Sequence, residues 1–134
     1  MGLINMATYL DIIRGTYEGT SEENGKRLRD ALATDAVWTE AAGFPYAGTY
    51  VGPEAILANV FHRLATEWID YRATVHTYVA DGDRVAAFGT YSGTYRTTGK
   101  TMEASFAHLY RLENGKIVNM QQFVDSAMVR AAMD

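Results

Sequence analysis

Two alternating runs, Thr101 to Leu112 and Lys116 to Asp125, meet across Glu113-Asn114-Gly115, and this pairing narrows the possible folds more than any other stretch of the chain. Asn-Gly supplies two residues that tolerate positive φ, so the runs are expected to turn back on each other as an antiparallel hairpin. The hairpin carries His108, Gln122 and Asp125 among apolar and aromatic residues. A long curved hairpin with a few polar groups on a hydrophobic face is one way for a small α+β protein to line a ligand cavity.

The period of two continues upstream. Tyr71 to Ala80 and Arg84 to Thr97 are joined at Asp81-Gly82-Asp83 and lead through Thr98-Gly99-Lys100 into the hairpin, which predicts a four-stranded antiparallel meander. Gly89 and Gly93 fall inside one of these strands and mark a bend or bulge. The first half of the chain is helical in pattern. Met6, Leu10, Ile13 and Tyr17 form an apolar stripe, Thr20 with Glu23 reads as a capping box, and Leu28, Ala31 and Leu32 supply a second buried face. A first strand is expected over 35–42, with Trp38 and Glu40 on one face and Val37, Thr39 and Ala41 on the other, followed by a loop over 43–48. Gly52-Pro53-Glu54 starts a third helix running to about Trp68, with Ile56, Val60, Leu64 and Trp68 on its inner stripe. A short helix is expected over 126–133. This order predicts an α+β fold of one domain over residues 1–134, with three N-terminal helices packed on a strongly curved, mainly antiparallel sheet.

Composition removes several function classes. Apolar residues make up 48% of the chain and charged residues 21%, enough for a packed core. The net charge of −4 has no basic stripe within it, which argues against nucleic acid as a partner. With no cysteine, disulfides and thiolate metal sites are excluded. His62, His76 and His108 form no i, i+4 pair, and neither a phosphate-cradling glycine loop nor a nucleophile elbow is present, so no metal and no nucleotide cofactor are expected. Asp11 and Arg14 interrupt the longest apolar stretch of the N-terminus, unlike a signal peptide, and no run approaches a membrane span, so the expected location is the cytoplasm.

The stretch from Trp38-Thr39-Glu40 through Gly52-Pro53, together with Phe106-Ala107-His108-Leu109-Tyr110-Arg111-Leu112-Glu113-Asn114-Gly115-Lys116-Ile117, resembles the SnoaL-like branch of the NTF2-like superfamily. That superfamily includes ketosteroid isomerases, polyketide cyclases, scytalone dehydratase and limonene epoxide hydrolase. The resemblance implies a cone-shaped fold and leaves the reaction open, because one cone hosts many chemistries and members that only bind. It places Glu40 where ketosteroid isomerases carry their general base. His108 falls where they carry a protonated aspartate of the oxyanion hole and where some polyketide cyclases look to carry histidine. Tyr17 aligns with the oxyanion tyrosine after a one-residue loop shift. Asp125 stands where related enzymes use a carboxylate late in the strand, although strict alternation turns it away from Gln122. The Asp-Arg-Asp arrangement of limonene epoxide hydrolase has no equivalent.

The residue types support the same chemistry independently. A carboxylate beside an indole in a dry cleft has its pKa raised toward proton-transfer range. Glu40 as base, with His108 and Tyr17 as donors, suits abstraction of a proton α to a carbonyl in a small hydrophobic compound, as an isomerase or as a lyase or cyclase. Trp38, Phe61, Phe106, Tyr110, Met120, Gln122 and Val124 are the expected ligand-contacting residues. Plainer roles stand beside each of these: Glu40 paired with Arg63 at a strand end, His108 as a satisfied interior histidine, Tyr17 as helix core, and Asp125 as the N-cap of the last helix. A non-catalytic binding module is the alternative function. In either case Arg72, Thr74, Thr90, Ser92 and Thr94 describe an outer sheet face of the kind that pairs two cones, so a homodimer is expected.

Overall fold

Two capping boxes start the helical layer. Thr8 caps α1 (Tyr9–Gly15) with Asp11 reciprocating, and Thr20 caps α2 (Ser21–Ala31) with Glu23 reciprocating, each box satisfying two backbone donors that a helix start would otherwise leave open. The computed structural model describes residues 8–134, so Met6 of the first stripe lies outside the described residues. Leu32, expected at the end of the second helix, instead opens β1 (Leu32–Glu40). The chain then turns through 41–47 into β2 (Gly48–Val51), a short strand that the loop-like composition of that stretch concealed.

Pro53 opens a helical run in three parts: α3 (Pro53–Ile56), a π-helical turn (Leu57–Phe61) and α4 (His62–Glu67). The expected inner stripe is buried, with Ile56, Val60, Leu64 and Trp68 each at most 8% exposed. Each such side chain contributes roughly 1.5–3 kcal/mol on leaving water. The π turn departs from the regular helix that the spacing predicts. Leu57, Val60 and Phe61 stand on one cavity wall, and the Phe61 ring meets Trp38 edge-on at 5.6 Å between centroids.

β3 (Trp68–Asp81), β4 (Arg84–Tyr95), β5 (Thr101–Glu113) and β6 (Lys116–Val124) form the meander, and α5 (Ser126–Met133) closes the chain. Asn114 and Gly115 both take positive φ, as the two-residue turn requires. The sheet order is β2-β1-β6-β5-β4-β3, and every pairing is antiparallel except β1 with β6. The observed architecture is the expected curved, mainly antiparallel sheet wrapped on helices.

Two irregularities in β3 produce much of the bend, one between Ile69 and Arg72 and one between Val75 and Thr77. Asp70 takes φ +54 in the first. The glycines of β4 lie opposite. A Cβ on Gly93 would come within 3.3 Å of Tyr71 Cα, and one on Gly89 would meet Thr74 O at 2.0 Å and Phe106 Cζ at 2.9 Å. The strands therefore approach more closely at Gly89 than any side chain permits. At the other end, Tyr46 Oη donates to Glu67 Oε1 at 2.8 Å and accepts from Trp68 Nε1 at 3.1 Å, tying the 41–47 turn to α4. Among the described residues no helix is long and apolar enough to cross a membrane.

Candidate functional site

The curvature leaves a cavity of about 800 Å³ between sheet and helices. Its walls come from the α1–α2 connection, the helical run 53–67, and the inner faces of β1, β3, β4 and β5. Strand alternation selects the side chains. On β1 the inner face carries Trp38 and Glu40; on β5 it carries Phe106, His108 and Tyr110.

Glu40 is 5% exposed, and its Oε2 has no hydrogen-bond partner. Burial pushes its carboxyl up to about 8, with the nearby Trp38 indole offsetting a small part of that rise from outside ordinary hydrogen-bond geometry. Arg63, the partner considered for it, pairs with Glu67 at 3.1 Å instead. Two more buried polar atoms on the cavity-lining residues lack partners, Trp38 Nε1 and Tyr71 Oη. Unsatisfied buried groups cost about 1–3 kcal/mol each, so the three around this cavity stand to gain from a polar atom brought beside them.

His108 sits at the centre of a hydrogen-bonded chain. Its Nδ1 meets Tyr17 Oη at 2.5 Å, Tyr17 Oη meets Tyr110 Oη at 2.5 Å, and its Nε2 bonds to Tyr91 Oη. Burial without a nearby carboxylate partner pulls the imidazole down to about 3, so the ring is neutral at physiological pH. Burial raises the Tyr17, Tyr71 and Tyr91 hydroxyls well above the ordinary phenol range, and Tyr110 is raised as well. These are neutral donors, suited to receiving negative charge that develops on a ligand oxygen.

Glu40, His108 and Tyr17 thus line one cavity, together with Trp38, Phe61 and Tyr110. The other expected residues do not line it. Asp125 is exposed and accepts from Met128 N at 3.3 Å as the N-cap of α5, because alternation along β6 turns it from the inner face. Phe106 stands behind the wall, stacked on Tyr91 at 4.2 Å and tilted against His108 at 4.4 Å between centroids. Met120 is fully buried in the core opposite Trp38 in the β1–β6 register, and Val124 pairs with Phe106 off the cavity. Gln122 is buried behind Tyr91: its Oε1 accepts from Ala41 N at 2.9 Å and its Nε2 donates to Tyr91 Oη at 2.9 Å.

Tyr71 and Tyr91 line the cavity in addition to the expected residues. Tyr91 shares the inner face of β4 with Val85 and Ala87, a signal that alternation alone could have supplied. Tyr71 carried no such signal, because its position depends on the bulge between Ile69 and Arg72. Among the described residues no group of three or more His, Asp or Glu side chains could hold a metal ion.

Comparison with known proteins agrees with this geometry. A crystal structure of an NTF2-like protein from Burkholderia thailandensis is 40% identical, covers 96% of this chain and 99% of its own, and superposes with a TM-score of 0.91. The crystal structure of TerC co-crystallized with polyporic acid shares the fold at 23% identity and a TM-score of 0.80, over 92% of this chain and 96% of that one. Patulin synthesis protein F of Aspergillus clavatus is 33% identical over 85 residues, which span 61% of this chain and 42% of that protein. This match takes in less than half of the curated relative's length. Residues 13–120 match the family described as the SnoaL-like domain, and the chain belongs to this SnoaL-like branch of the NTF2-like superfamily.

Proposed function

We propose that this chain is a cofactor-independent isomerase or lyase/cyclase acting on a small hydrophobic carbonyl compound. One observation carries the reading: Glu40, buried with an unpartnered oxygen, lines the same cavity as the His108–Tyr17–Tyr110 chain of neutral donors. In its ionised form Glu40 takes a proton from the carbon next to the carbonyl. The C–H electron pair moves into a new carbon–carbon double bond, and the carbonyl pair moves onto oxygen, where the tyrosine hydroxyls receive the charge. Return of the proton at another carbon isomerises the compound. Loss of a β-leaving group gives elimination, and attack of the enolate carbon on a second carbonyl closes a ring. His108 holds its tyrosines in place and, being neutral, does not supply the proton.

The relative named for patulin synthesis and the fold neighbour crystallised with polyporic acid support a role with small oxygenated organic molecules. A binding module without turnover is the second reading. The neutral, fully engaged imidazole favours it, since such a set can hold an acceptor without moving a proton. A thermal-shift screen of steroids, polyketide fragments and small enones, followed by turnover assays of each hit, separates the two. On the enzymatic reading Glu40→Gln abolishes turnover of a hit and keeps its binding. Hits that bind and never turn over in the native protein establish the binding module.

The cone is also proposed to form a homodimer through its outer sheet face. Phe88 on β4 and Phe123 on β6 are 42% and 50% exposed and flank Ala107 in one cross-strand row. A second copy presenting the same row would cover them, so Phe88→Asp should convert a dimer to monomer in sedimentation analysis. A native protein that sediments as monomer removes this part.

A further inference from the structure

Gln122 lies outside the cavity wall, yet it controls what the wall offers. We infer that Gln122 sets the direction of the hydrogen-bond chain, holding His108 in its Nδ1–H form and leaving the Tyr110 hydroxyl hydrogen as the donor presented to a ligand. Gln122 is thus a positioning residue for the donors of the site.

Ala41 N–H can only donate, so the Gln122 oxygen faces it at 2.9 Å and the amide nitrogen faces Tyr91. Gln122 Nε2 therefore donates to Tyr91 Oη at 2.9 Å. With its oxygen occupied by that donor, Tyr91 reaches His108 Nε2 through its own hydrogen. A neutral imidazole carries one hydrogen, which must then sit on Nδ1. From there it is donated to Tyr17 Oη at 2.5 Å, and Tyr17 donates to Tyr110 Oη at 2.5 Å. Among the described residues no acceptor lies in ordinary hydrogen-bond geometry for the last hydrogen, the one on Tyr110, which lines the cavity; Thr16 approaches that hydroxyl only from outside such geometry, its own Oγ1 donating to Ile13 O.

The opposite order is worse at a single atom. It would have Tyr91 Oη, on a residue 3% exposed, accept from Gln122 and His108 together, while its own hydrogen found no acceptor in ordinary hydrogen-bond geometry among the described residues. Tyr71 Oη on β3 interacts with Tyr91 only from outside ordinary hydrogen-bond geometry, so it does not take that hydrogen in a formed bond. The anchor of the chain is also informative. Ala41 follows Glu40 directly, so one backbone position holds both the carboxylate and the origin of the donor order.

The test reads the tautomer of His108 in the full-length protein by long-range ¹H–¹⁵N correlation, which distinguishes Nδ1–H from Nε2–H without any substrate. The native ring should be Nδ1–H throughout pH 6 to 9. The titratable groups around it are Tyr17 in the α1–α2 connection, Tyr71 on β3, Tyr91 on β4, Tyr110 on β5 and, elsewhere on the cavity wall, Glu40 on β1, and only Glu40 ionises in that interval. In Gln122→Glu the new side chain donates to Tyr91 while protonated and accepts from it once ionised. His108 should then switch to Nε2–H as the residue-122 carboxyl, followed by its ¹³C shift, loses its proton. A native protein already in the Nε2–H form overturns the inference, as does an ionised variant that keeps Nδ1–H. The native measurement decides even if the variant fails to fold. Neither result bears on whether Glu40 acts as a base, so this inference and the proposed reaction fail separately.

Discussion

Replacing Glu40 by glutamine should make the protein more stable in alkaline solution, and the size of the effect can be worked from two buried groups. The Glu40 carboxyl moves from 4.5 to about 8 on folding, and the His108 imidazole from 6.5 to about 3. Between pH 4.5 and about 8 the folded state keeps a proton on Glu40 that the unfolded chain has lost. Stability from this group is fully present below the lower value and falls as pH rises, by up to about 1.4 kcal/mol per pH unit. His108 acts in the other direction. Between pH 3 and 6.5 the unfolded chain is protonated and the buried ring is not, so stability from this group falls as pH drops. The two slopes cancel from pH 4.5 to 6.5, leaving a plateau whose acid edge belongs to His108 and whose alkaline edge belongs to Glu40. Glu40→Gln removes the alkaline edge and, by leaving the His108 slope uncancelled, extends the acid edge up to about pH 6.5. From about pH 4 to about pH 9 the variant should gain roughly 5 kcal/mol relative to the native protein at the full shift, or roughly 2 kcal/mol if water entering the cavity relieves part of the burial. Urea unfolding of both proteins across that range measures the difference directly. A difference that stays within about 0.5 kcal/mol throughout, or that moves against the variant as pH rises, would refute the argument that Glu40 is buried without a partner.

Three further outcomes follow from the same geometry. If a turned-over substrate is found, kcat/KM should rise with pH to a plateau above about 8, where the Glu40 carboxylate is formed, and Glu40→Gln should lower it by roughly 10²–10⁴-fold. Gly89→Ala should destabilise the fold by several kcal/mol, on the order of the largest single-site effects, because its Cβ would lie 2.0 Å from a backbone oxygen of β3; chemical denaturation reads this. Asp125→Ala should cost about 1 kcal/mol through the lost cap of α5 while leaving ligand binding unchanged, which rules the residue out of the site; denaturation and the binding screen read the two halves.

Much of this cone is legible in the chain wherever the signal is local. The capping box of Thr20 and Glu23, the proline at the start of the 53–67 run, the Asn114-Gly115 turn and the alternation of β5 each express a preference satisfied within a few residues. The pairing of Trp38 and Glu40 on the buried face of β1 comes from the same strand period, and so does that of Phe106, His108 and Tyr110 on β5. Alternation also explains why Asp125 turned out to be a cap: its own parity pointed it away from Gln122.

What the chain could not reveal involves groups that meet across the sheet. β2 is held by β1 and has too few residues to show a period of its own. The π turn at Leu57–Phe61 keeps the same apolar spacing as an ordinary helix would, so no local pattern distinguishes it. Tyr71 reaches the cavity only because β3 bulges opposite Gly93, and Gln122 finds Ala41 only because β6 runs parallel to β1. Residue order therefore sufficed for which side chains face inward, since that depends on backbone periodicity. Which of those side chains touch, and which stay unpartnered, depended on strand curvature and on pairings between residues distant in the chain, where the free energy comes from packing and desolvation that no short segment contains.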